Sequence, residues 1–315
     1  MSTAGIGQVV DSTPSTPAVV RPLTLPRKAS SWWGDAWRRF RYKKVPVAAA
    51  VVLMLLAALA LLAPLIAPYD PTQQFRREGL TILGEPLPPN GQFILGTDGL
   101  GRDLLSRLLW GGRISLAIGV SASAIVMATA LLVGGVAGFA GGKTETLLMR
   151  LVDLMISVPQ LFLMLLLVVI LQPGVWVVVL VVALFGWPYP ARVVRSQILS
   201  LKEEDFVLAA HCLGASPARV FLRHVLPHVL PLVTIYFALS MPAAIFAEAS
   251  LSFLGLGVPP PAPSWGAMIQ DGMEYYRAAP WLVLYPGLAI SLTVVAFNLV
   301  ATGLREVMDP AQRGR

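Results

Sequence analysis

Two acidic residues lie in or beside stretches that are otherwise apolar, and they are the first candidates for chemistry. Asp153 precedes one long uncharged run, and Glu248 lies within another. An ionised carboxylate at the centre of a bilayer costs about 2.5 to 3.5 kcal/mol or more, so such groups normally face a protein interior or an aqueous path. Both are therefore candidates for a pathway or a gate. The alternatives are an interfacial position for Glu248, and headgroup contact or a pair with Arg150 for Asp153.

Two other patterns resemble nucleotide or metal sites, and each has a simpler explanation. The segment 137–144, AGFAGGKT, fits a relaxed phosphate-loop pattern, but such a loop follows a buried strand and here an apolar run precedes it. Cys212, His224 and His228 have the spacing of half a zinc finger. Pro227 weakens the helical geometry that would aim both imidazoles at one ion. We predict no catalytic residue, no cofactor site and no metal site in this chain.

The composition indicates the solvent in which these residues lie. Of the 315 residues, 56% are hydrophobic and 13% are charged, and the mean hydropathy is +0.71. Soluble proteins are about 25% charged, so an ordinary soluble enzyme is excluded. A net charge of +7 could suit nucleic acid, but eight of the 24 basic residues precede the first apolar run, as expected of a membrane protein whose N-terminal end stays in the cytoplasm. We predict a membrane protein that contacts lipid and no nucleic acid.

Several apolar stretches are long enough to cross a bilayer. A hydrocarbon core of about 30 Å needs about 20 helical residues. The run 154–191 carries no charge and is too long for one helix, but Gln172, Pro173 and Gly174 divide it into two spans. The six predicted spans are residues 45–67, 114–140, the two halves of 154–191, 229–252 and 281–303.

The segments outside the spans predict the orientation. Residues 1–30 are rich in Ser, Thr and Pro and are expected to be a disordered cytoplasmic tail. Residues 31–44, with a stripe of Trp33, Trp37 and Phe40, are expected to form an amphipathic helix at the inner surface. If the N-terminus is cytoplasmic, only six of the 24 Lys and Arg lie outside: Arg76, Arg77, Arg102, Arg107, Arg113 and Arg277. This bias predicts cytoplasmic termini, an extracytoplasmic loop at 68–113, and a core at 114–310.

The cytoplasmic segment 203–231 is too polar to cross the membrane and unusually regular for a loop. Acidic residues that include Glu204 suit a helix N-terminus, and Gly214 suits the end of that helix. Pro217 then opens a second short helix, which is predicted to end at a break at Leu226-Pro227. A helix-glycine-helix element of this kind can dock into a groove of a partner.

These residues resemble the EAA loop of bacterial ABC importer permeases, in Leu208-Ala209-Ala210, Gly214 and Leu226-Pro227. The chain departs from that pattern at Leu208, where the family has Glu, and at His224, where Ile is usual. The resemblance implies that the region 197–228 couples the chain to ATPase subunits. The residues it assigns to coupling are Glu204, Phe206, Ala209, Ala210, Gly214, Pro217, Leu226 and Pro227.

Two external segments are similar to the C-type permease subunit of dipeptide, oligopeptide and nickel importers. The first contains Gly96, Thr97, Asp98, Gly101, Arg102 and Asp103. The second runs from Glu248 through 249–257 to the sequence PSWG at 263–266. The similarity covers about residues 31–310. It implies an all-α protein of the bacterial inner membrane with six transmembrane helices, in the type I ABC importer permease architecture.

The resemblance also implies partners and a mechanism. The partners are a second, related permease in a heterodimer, two cytoplasmic ATPase subunits that hold ATP and Mg, and an extracytoplasmic solute-binding protein. The substrate stays open among dipeptides, longer peptides, glutathione-like peptides and nickel complexes. The competing hypothesis is a proton-coupled secondary transporter that uses Glu248, with Asp153 as a second relay group.

Overall fold

The computed structural model describes residues 32–308, and every regular element within that range is helical. The predicted tail at 1–30 lies outside the described residues. The helices are α1 (Trp32–Phe40), α2 (Lys44–Leu61), α3 (Ala63–Ile66), α4 (Leu104–Ala140), α5 (Gly142–Ser157), α6 (Gln160–Leu171), α7 (Val175–Gly186), α8 (Pro188–Lys202), α9 (Asp205–Cys212), α10 (Pro217–Val220), α11 (Leu226–Phe253), α12 (Trp265–Met273) and α13 (Trp281–Met308).

Four helical stretches are long and apolar enough to cross a membrane, and two bent pairs raise the number of candidate spans to as many as six. The four are α2, α4, the continuous stretch 217–253, and α13. The pairs are α5 with α6, bent by 88°, and α7 with α8, bent by 44°. The fold is thus an all-helical bundle with four to six candidate spans.

The long helix α4 lies at the centre of the bundle and packs against α7, α8 and α11. Its glycines permit close contact with α8. A Cβ on Gly134 would lie 2.3 Å from the carbonyl oxygen of Ala191, and one on Gly138 would lie 2.9 Å from that of Arg195. Small residues at such contacts let membrane helices approach through their backbones. The segment 137–144, which resembles a phosphate loop in sequence, is a junction between two helices, because α4 ends at Ala140 and α5 begins at Gly142.

The predicted extracytoplasmic loop at 68–113 is not wholly irregular, because α4 begins at Leu104 and its first turns fall within the predicted range. The side chain of Asp103 caps this helix by accepting a hydrogen bond of 2.8 Å from the backbone N–H of Ser106. The first turns of α4 contain Arg107 and Arg113, and these two charged residues are the reason why the sequence predicts a loop there. Isolated β-bridges, Leu80 with Pro86 and Thr97 with Asp103, brace the irregular part of this loop.

The predicted third span is not one straight helix. The break expected at residues 172–174 is present, since α6 ends at Leu171, Gln172 has φ of +67°, and α7 begins at Val175. A second break at Val158-Pro159 was not predicted, and it separates α5 from α6. Proline lacks the N–H that would continue the α5 ladder, and it disfavours helical geometry at the preceding residue.

The prediction that the helix breaks at Leu226-Pro227 is wrong. A π-helical turn at Phe221–Val225 joins α10 to α11, so the backbone is helical from Pro217 to Phe253. In a regular α-helix the ring of Pro227 would clash with the carbonyl group four residues earlier. We attribute the absence of a break to the wider π turn, which makes room for the ring.

Candidate functional site

The element that the sequence predicts to be cytoplasmic consists of α9, the turn at 213–216, α10 and the π-helical turn at Phe221–Val225, and we call it the cytoplasmic element. The first helix ends where Gly214 adopts φ of +78°, a left-handed conformation that glycine reaches at little steric cost. The N–H of Gly214 donates to the carbonyl oxygen of His211 at 2.9 Å, and that of Ala215 donates to Ala210 at 3.1 Å. Pro217 occupies the first turn of α10. Glycine and proline thus have the positions predicted from the sequence.

The two faces of this element differ. Val207, Ala210, Val220 and Val225 are buried and form one apolar cluster with Val194, Ile198 and Leu201 of α8. On the other face, Leu208, Leu213 and Leu222 have relative exposures of 51%, 88% and 60%. Among the residues predicted to couple, Ala210 is buried, Leu226 is half-buried, and Glu204, Phe206, Ala209, Gly214, Pro217 and Pro227 are exposed. The buried face fixes the element to the bundle and leaves an apolar surface uncovered.

His228, which lies near this element, contributes to packing. The ring of His228 stacks on Phe206 with 4.9 Å between ring centroids, and its Nδ1 lies 2.7 Å from the carbonyl oxygen of His224. In the part of the chain that the structure describes, no three His, Cys, Asp or Glu residues are grouped so that they could hold a metal ion. The contact with Phe206 ties α9 to the start of α11.

At the other end of α11, the fully buried Glu248 joins three elements. Its carboxylate accepts hydrogen bonds from Ser252 Oγ at 2.7 Å and from Ser115 Oγ of α4 at 3.1 Å. Ser115 Oγ in turn accepts from the backbone N–H of Trp265 at 3.2 Å, and Ser264 Oγ donates to Ser252 Oγ at 3.4 Å. We call Glu248, Ser115, Ser252 and Ser264 the serine cluster. It fixes the start of α12 to α4 and α11.

Two glycines of the second external motif permit this arrangement. A Cβ on Gly257 would lie 1.8 Å from Ser252 Oγ, and one on Gly266 would lie 2.6 Å from Cα of Ala249. Neither distance is sterically possible for a real side chain. The chain therefore uses glycine where the loop and α12 pass directly over the end of α11.

The first external motif forms a buried charged cluster. Asp98 accepts from Arg102 Nε at 2.6 Å and from the backbone N–H groups of Leu100 and Arg102, each at 2.9 Å. Arg107 Nε lies 3.2 Å from the same carboxylate oxygen. The side chains of Asp98, Arg102 and Arg107 are 5%, 7% and 3% exposed. Such burial requires paired charges, because an isolated buried ion is strongly unfavourable.

A second carboxylate completes this cluster from a distant part of the sequence. Asp271 of α12 lies 3.4 Å from Arg102 Nη2 and 3.2 Å from Arg107 Nη2, and its side chain is 43% exposed. Burial raises the pKa of the Asp271 carboxyl, against the attraction of Arg107 and then of Arg102. We call Asp98, Arg102, Arg107 and Asp271 the outer charge cluster.

The outer charge cluster borders a cavity of about 390 Å³, which the proline-rich segment 258–262 and Ser252 also line. The remaining motif residues hold the loop in place. Thr97 Oγ donates to the carbonyl oxygen of Gly79 at 2.5 Å, and Gly96 and Gly101 have φ of +85° and +72°. The sequence indicated the residues of the motif, but it gave no sign that Asp271 would join them.

Asp153 occupies a different environment from Glu248. Its side chain is 50% exposed and pairs with Arg192 of α8, with 2.6 Å between Asp153 Oδ1 and Arg192 Nη2. The partner is thus Arg192 and not Arg150. The structure does not bring Asp153 and Glu248 together, since they lie on α5 and near the far end of α11.

The sequence matches two family models. Residues 130–314 match the binding-protein-dependent transport system inner membrane component, and residues 31–89 match the N-terminal TM domain of oligopeptide transport permease C. The chain belongs to this permease family. The first match includes the cytoplasmic element and, of the serine cluster, Glu248, Ser252 and Ser264.

The alignments with three relatives extend over almost the whole length of this permease. It is 37% identical over 289 residues to the oligopeptide transport system permease protein OppC of Bacillus subtilis, covering 92% of this chain and 93% of that protein. It is 38% identical to the di/tripeptide transport system permease protein DppC of Pseudomonas aeruginosa, with 94% and 95% covered. It is 40% identical to the glutathione transport system permease protein GsiD of Escherichia coli, with 93% and 95% covered.

Proposed function

We propose that this chain is the C-type permease subunit of an ATP-driven importer that moves di- or oligopeptides across the bacterial inner membrane. The similar permeases carry names that specify oligopeptide, di/tripeptide and glutathione transport, and all of these substrates contain amino acids joined through amide bonds. The proposed complex contains a second, related permease, two ATPase subunits that hold ATP and Mg, and an extracytoplasmic solute-binding protein.

The proposed topology has six spans, with both termini in the cytoplasm. Counting each bent pair as one span gives this number. In this orientation 18 of the 24 Lys and Arg are cytoplasmic, which agrees with the positive-inside rule. A reporter fused after Gln74 should then report the outside and one fused after Lys202 the cytoplasm. Both reporters on one face would contradict the topology.

The cytoplasmic element is proposed to dock on an ATPase subunit. An apolar surface exposed to water favours burial against a partner, at about 25 cal/mol per Å² of apolar area. The exposed leucines Leu208, Leu213 and Leu222 supply such a surface. The residues with proposed coupling roles are Glu204, Phe206, Ala209, Ala210, Gly214, Pro217, Leu226 and Pro227.

The observation that carries the proposed coupling is the unbroken helical stretch from Pro217 to Phe253. At about 1.5 Å per residue its 37 residues span about 55 Å. One end belongs to the cytoplasmic element, and Glu248 of the serine cluster lies near the other. A displacement of the element by the ATPases can therefore reach the outer end of the bundle along one continuous helical stretch.

Uptake of a labelled dipeptide into vesicles that contain the assembled complex tests this function. We expect uptake that requires ATP and loaded binding protein, and that continues when the proton gradient is collapsed. The competing hypothesis, a secondary transporter with Glu248 as a proton relay, predicts uptake driven by the gradient without the ATPase subunits. That second result would overturn the proposal.

A further inference from the structure

A cleft of about 310 Å³ opens where α2 begins and α13 ends. We call it the α2–α13 cleft. Its polar side chains are those of Lys43, Lys44, Thr302 and Glu306, and its apolar residues are Val45, Pro46, Leu299 and Gly303. Lys43 and Lys44 lie at the start of α2 and Val45 follows them, while along α13 Leu299 precedes Thr302 and Glu306. Because the start of α2 lies beside the end of α13, the charged side chains of both walls share one end of the cleft and the apolar residues lie toward the other.

The walls of the cleft are fixed by packing. A Cβ on Gly303 would lie 2.4 Å from Cβ of Pro46 and 3.2 Å from Cε2 of Phe40, so α13 carries glycine where the other two residues press against it. Phe40 is 6% exposed, and Lys43 forms an ion pair with Glu306. These contacts hold α1 and the start of α2 against α13.

The charge around the charged end is positive. Arg39, Arg41 and Lys44 are exposed, and among residues 32–308 no carboxylate lies within ion-pair distance of Lys44. Glu306 is already paired with Lys43. Trp37 and Tyr42, 68% and 74% exposed, flank the cleft in the sequence. Aromatic residues of this kind are enriched at the headgroup level of a bilayer.

We propose that the α2–α13 cleft binds one anionic phospholipid of the inner leaflet. The lipid phosphate lies at Lys44, and an acyl chain follows Val45 and Leu299 toward the hydrocarbon core. Basic pockets between transmembrane helices on the cytoplasmic side bind anionic headgroups, and this cleft adds an apolar wall for the chain. The assignment to the inner leaflet rests on the orientation proposed above, whereas the lipid chemistry rests on the residues of the cleft.

Lipid capture by the full chain in detergent tests this site without requiring transport, ATPase subunits or a membrane orientation. The purified chain is mixed with equal amounts of phosphatidylglycerol and phosphatidylcholine, and bound lipid is counted by native mass spectrometry. We expect preferential retention of one phosphatidylglycerol. Lys44→Gln should weaken that retention about fivefold, the effect of one basic residue at an anionic surface. Thr302→Trp should weaken it without changing the charge, because the larger side chain fills the cleft.

Lys143→Gln is the matched control, since Lys143 is an exposed lysine at the start of another long helix. It should retain phosphatidylglycerol as the unmodified chain does, and inorganic phosphate should not displace the lipid. Equal losses for Lys44→Gln and Lys143→Gln would show attraction by bulk charge and overturn the proposal. Equal retention of both lipids by the unmodified chain, or displacement by phosphate alone, would also overturn it.

Discussion

The cytoplasmic element and the outer charge cluster are both motifs of this permease, yet they are built in opposite ways. In the outer cluster the charged side chains of Asp98, Arg102 and Arg107 are buried and form ion pairs with one another, with Arg107 Nη1 left without a hydrogen-bond partner among the described residues. In the cytoplasmic element, apolar side chains such as Leu213 are exposed, and none of the residues that the structure describes covers them. A region whose charges pair within the chain serves its stability, whereas the region whose apolar surface stays exposed is the one for which we propose a partner.

Asp98→Ala is the sharpest test of whether the outer charge cluster stabilises the fold. It removes an ion-pair partner of two buried guanidinium groups, those of Arg102 and Arg107, and breaking a buried pair on one side costs about 3–5 kcal/mol. We expect a large loss of folded protein, measured by the yield and the thermal unfolding of the full chain in detergent. Asp70→Ala, which changes an exposed carboxylate that bonds only to nearby residues, is the control and should have little effect. Similar unfolding for both variants would show that the cluster is dispensable.

Gly214→Val tests whether the cytoplasmic element serves coupling to the ATPases, because it should impair coupling without preventing folding. A Cβ at Gly214 meets no atom within 4 Å, so the only cost is the left-handed backbone, about 1–2 kcal/mol. That energy corresponds to a factor of about 5–30 in a conformational equilibrium. We expect substrate-stimulated ATP hydrolysis by the assembled complex to fall by such a factor while the spans still insert.

Gly214→Asn is the matched variant, because asparagine tolerates the left-handed region better than other residues with a side chain. It should retain most of the stimulation. Wild-type stimulation in Gly214→Val, with normal copurification of the ATPase subunits, would show that the element is only a connector.

Glu248→Gln is expected to have a smaller effect than either change. The amide oxygen can still accept from Ser115 or Ser252, so the serine cluster keeps its shape while its carboxyl group is lost. We expect peptide uptake to change severalfold with normal assembly, if the carboxylate faces the pathway or the second permease. The control is Glu274→Gln, which changes an exposed acid that follows α12. Unchanged uptake in Glu248→Gln would restrict Glu248 to a structural role.

Asp271→Asn should have the smallest effect. Asp271 is half exposed, and water screens its pairs with Arg102 and Arg107. Because burial raises its pKa above 3.8, its contribution to stability is present below that value and is lost as the pH rises through the folded pKa. Asp271→Asn should remove this dependence from thermal unfolding measured as the pH is raised above 3.8. A loss as large as that of Asp98→Ala would contradict the difference between the two carboxylates.

Local chemistry explains which parts of these regions could be predicted from the sequence. The end of α9 at Gly214 and the start of α10 at Pro217 follow from backbone preferences of single residues. The break at residues 172–174 follows from length and turn residues in the same way. The family resemblance, and with it the permease function, rests on short motifs that can be identified without knowing the fold.

The remaining features depend on contacts between distant residues. Nothing near Arg102 in the sequence indicates Asp271, and nothing near Glu248 indicates Ser115, because α12 and α4 bring these partners together. The bend at Val158-Pro159 and the helical path through Pro227 depend on how the backbone adapts to a proline, by a break in one place and a π turn in the other. The roles of Glu248 and the coupling residues stay predictions.

The most direct test of the proposed docking surface is photo-crosslinking in cells from two equally exposed leucines. Leu213 belongs to the cytoplasmic element and Leu83 to the outer loop, with exposures of 88% and 85%. A photoreactive residue at Leu213 is expected to capture an ATPase subunit, whereas one at Leu83 should capture none. No ATPase adduct from Leu213, or equal capture from both positions, would contradict the proposal that the cytoplasmic element is where this permease meets its ATPase.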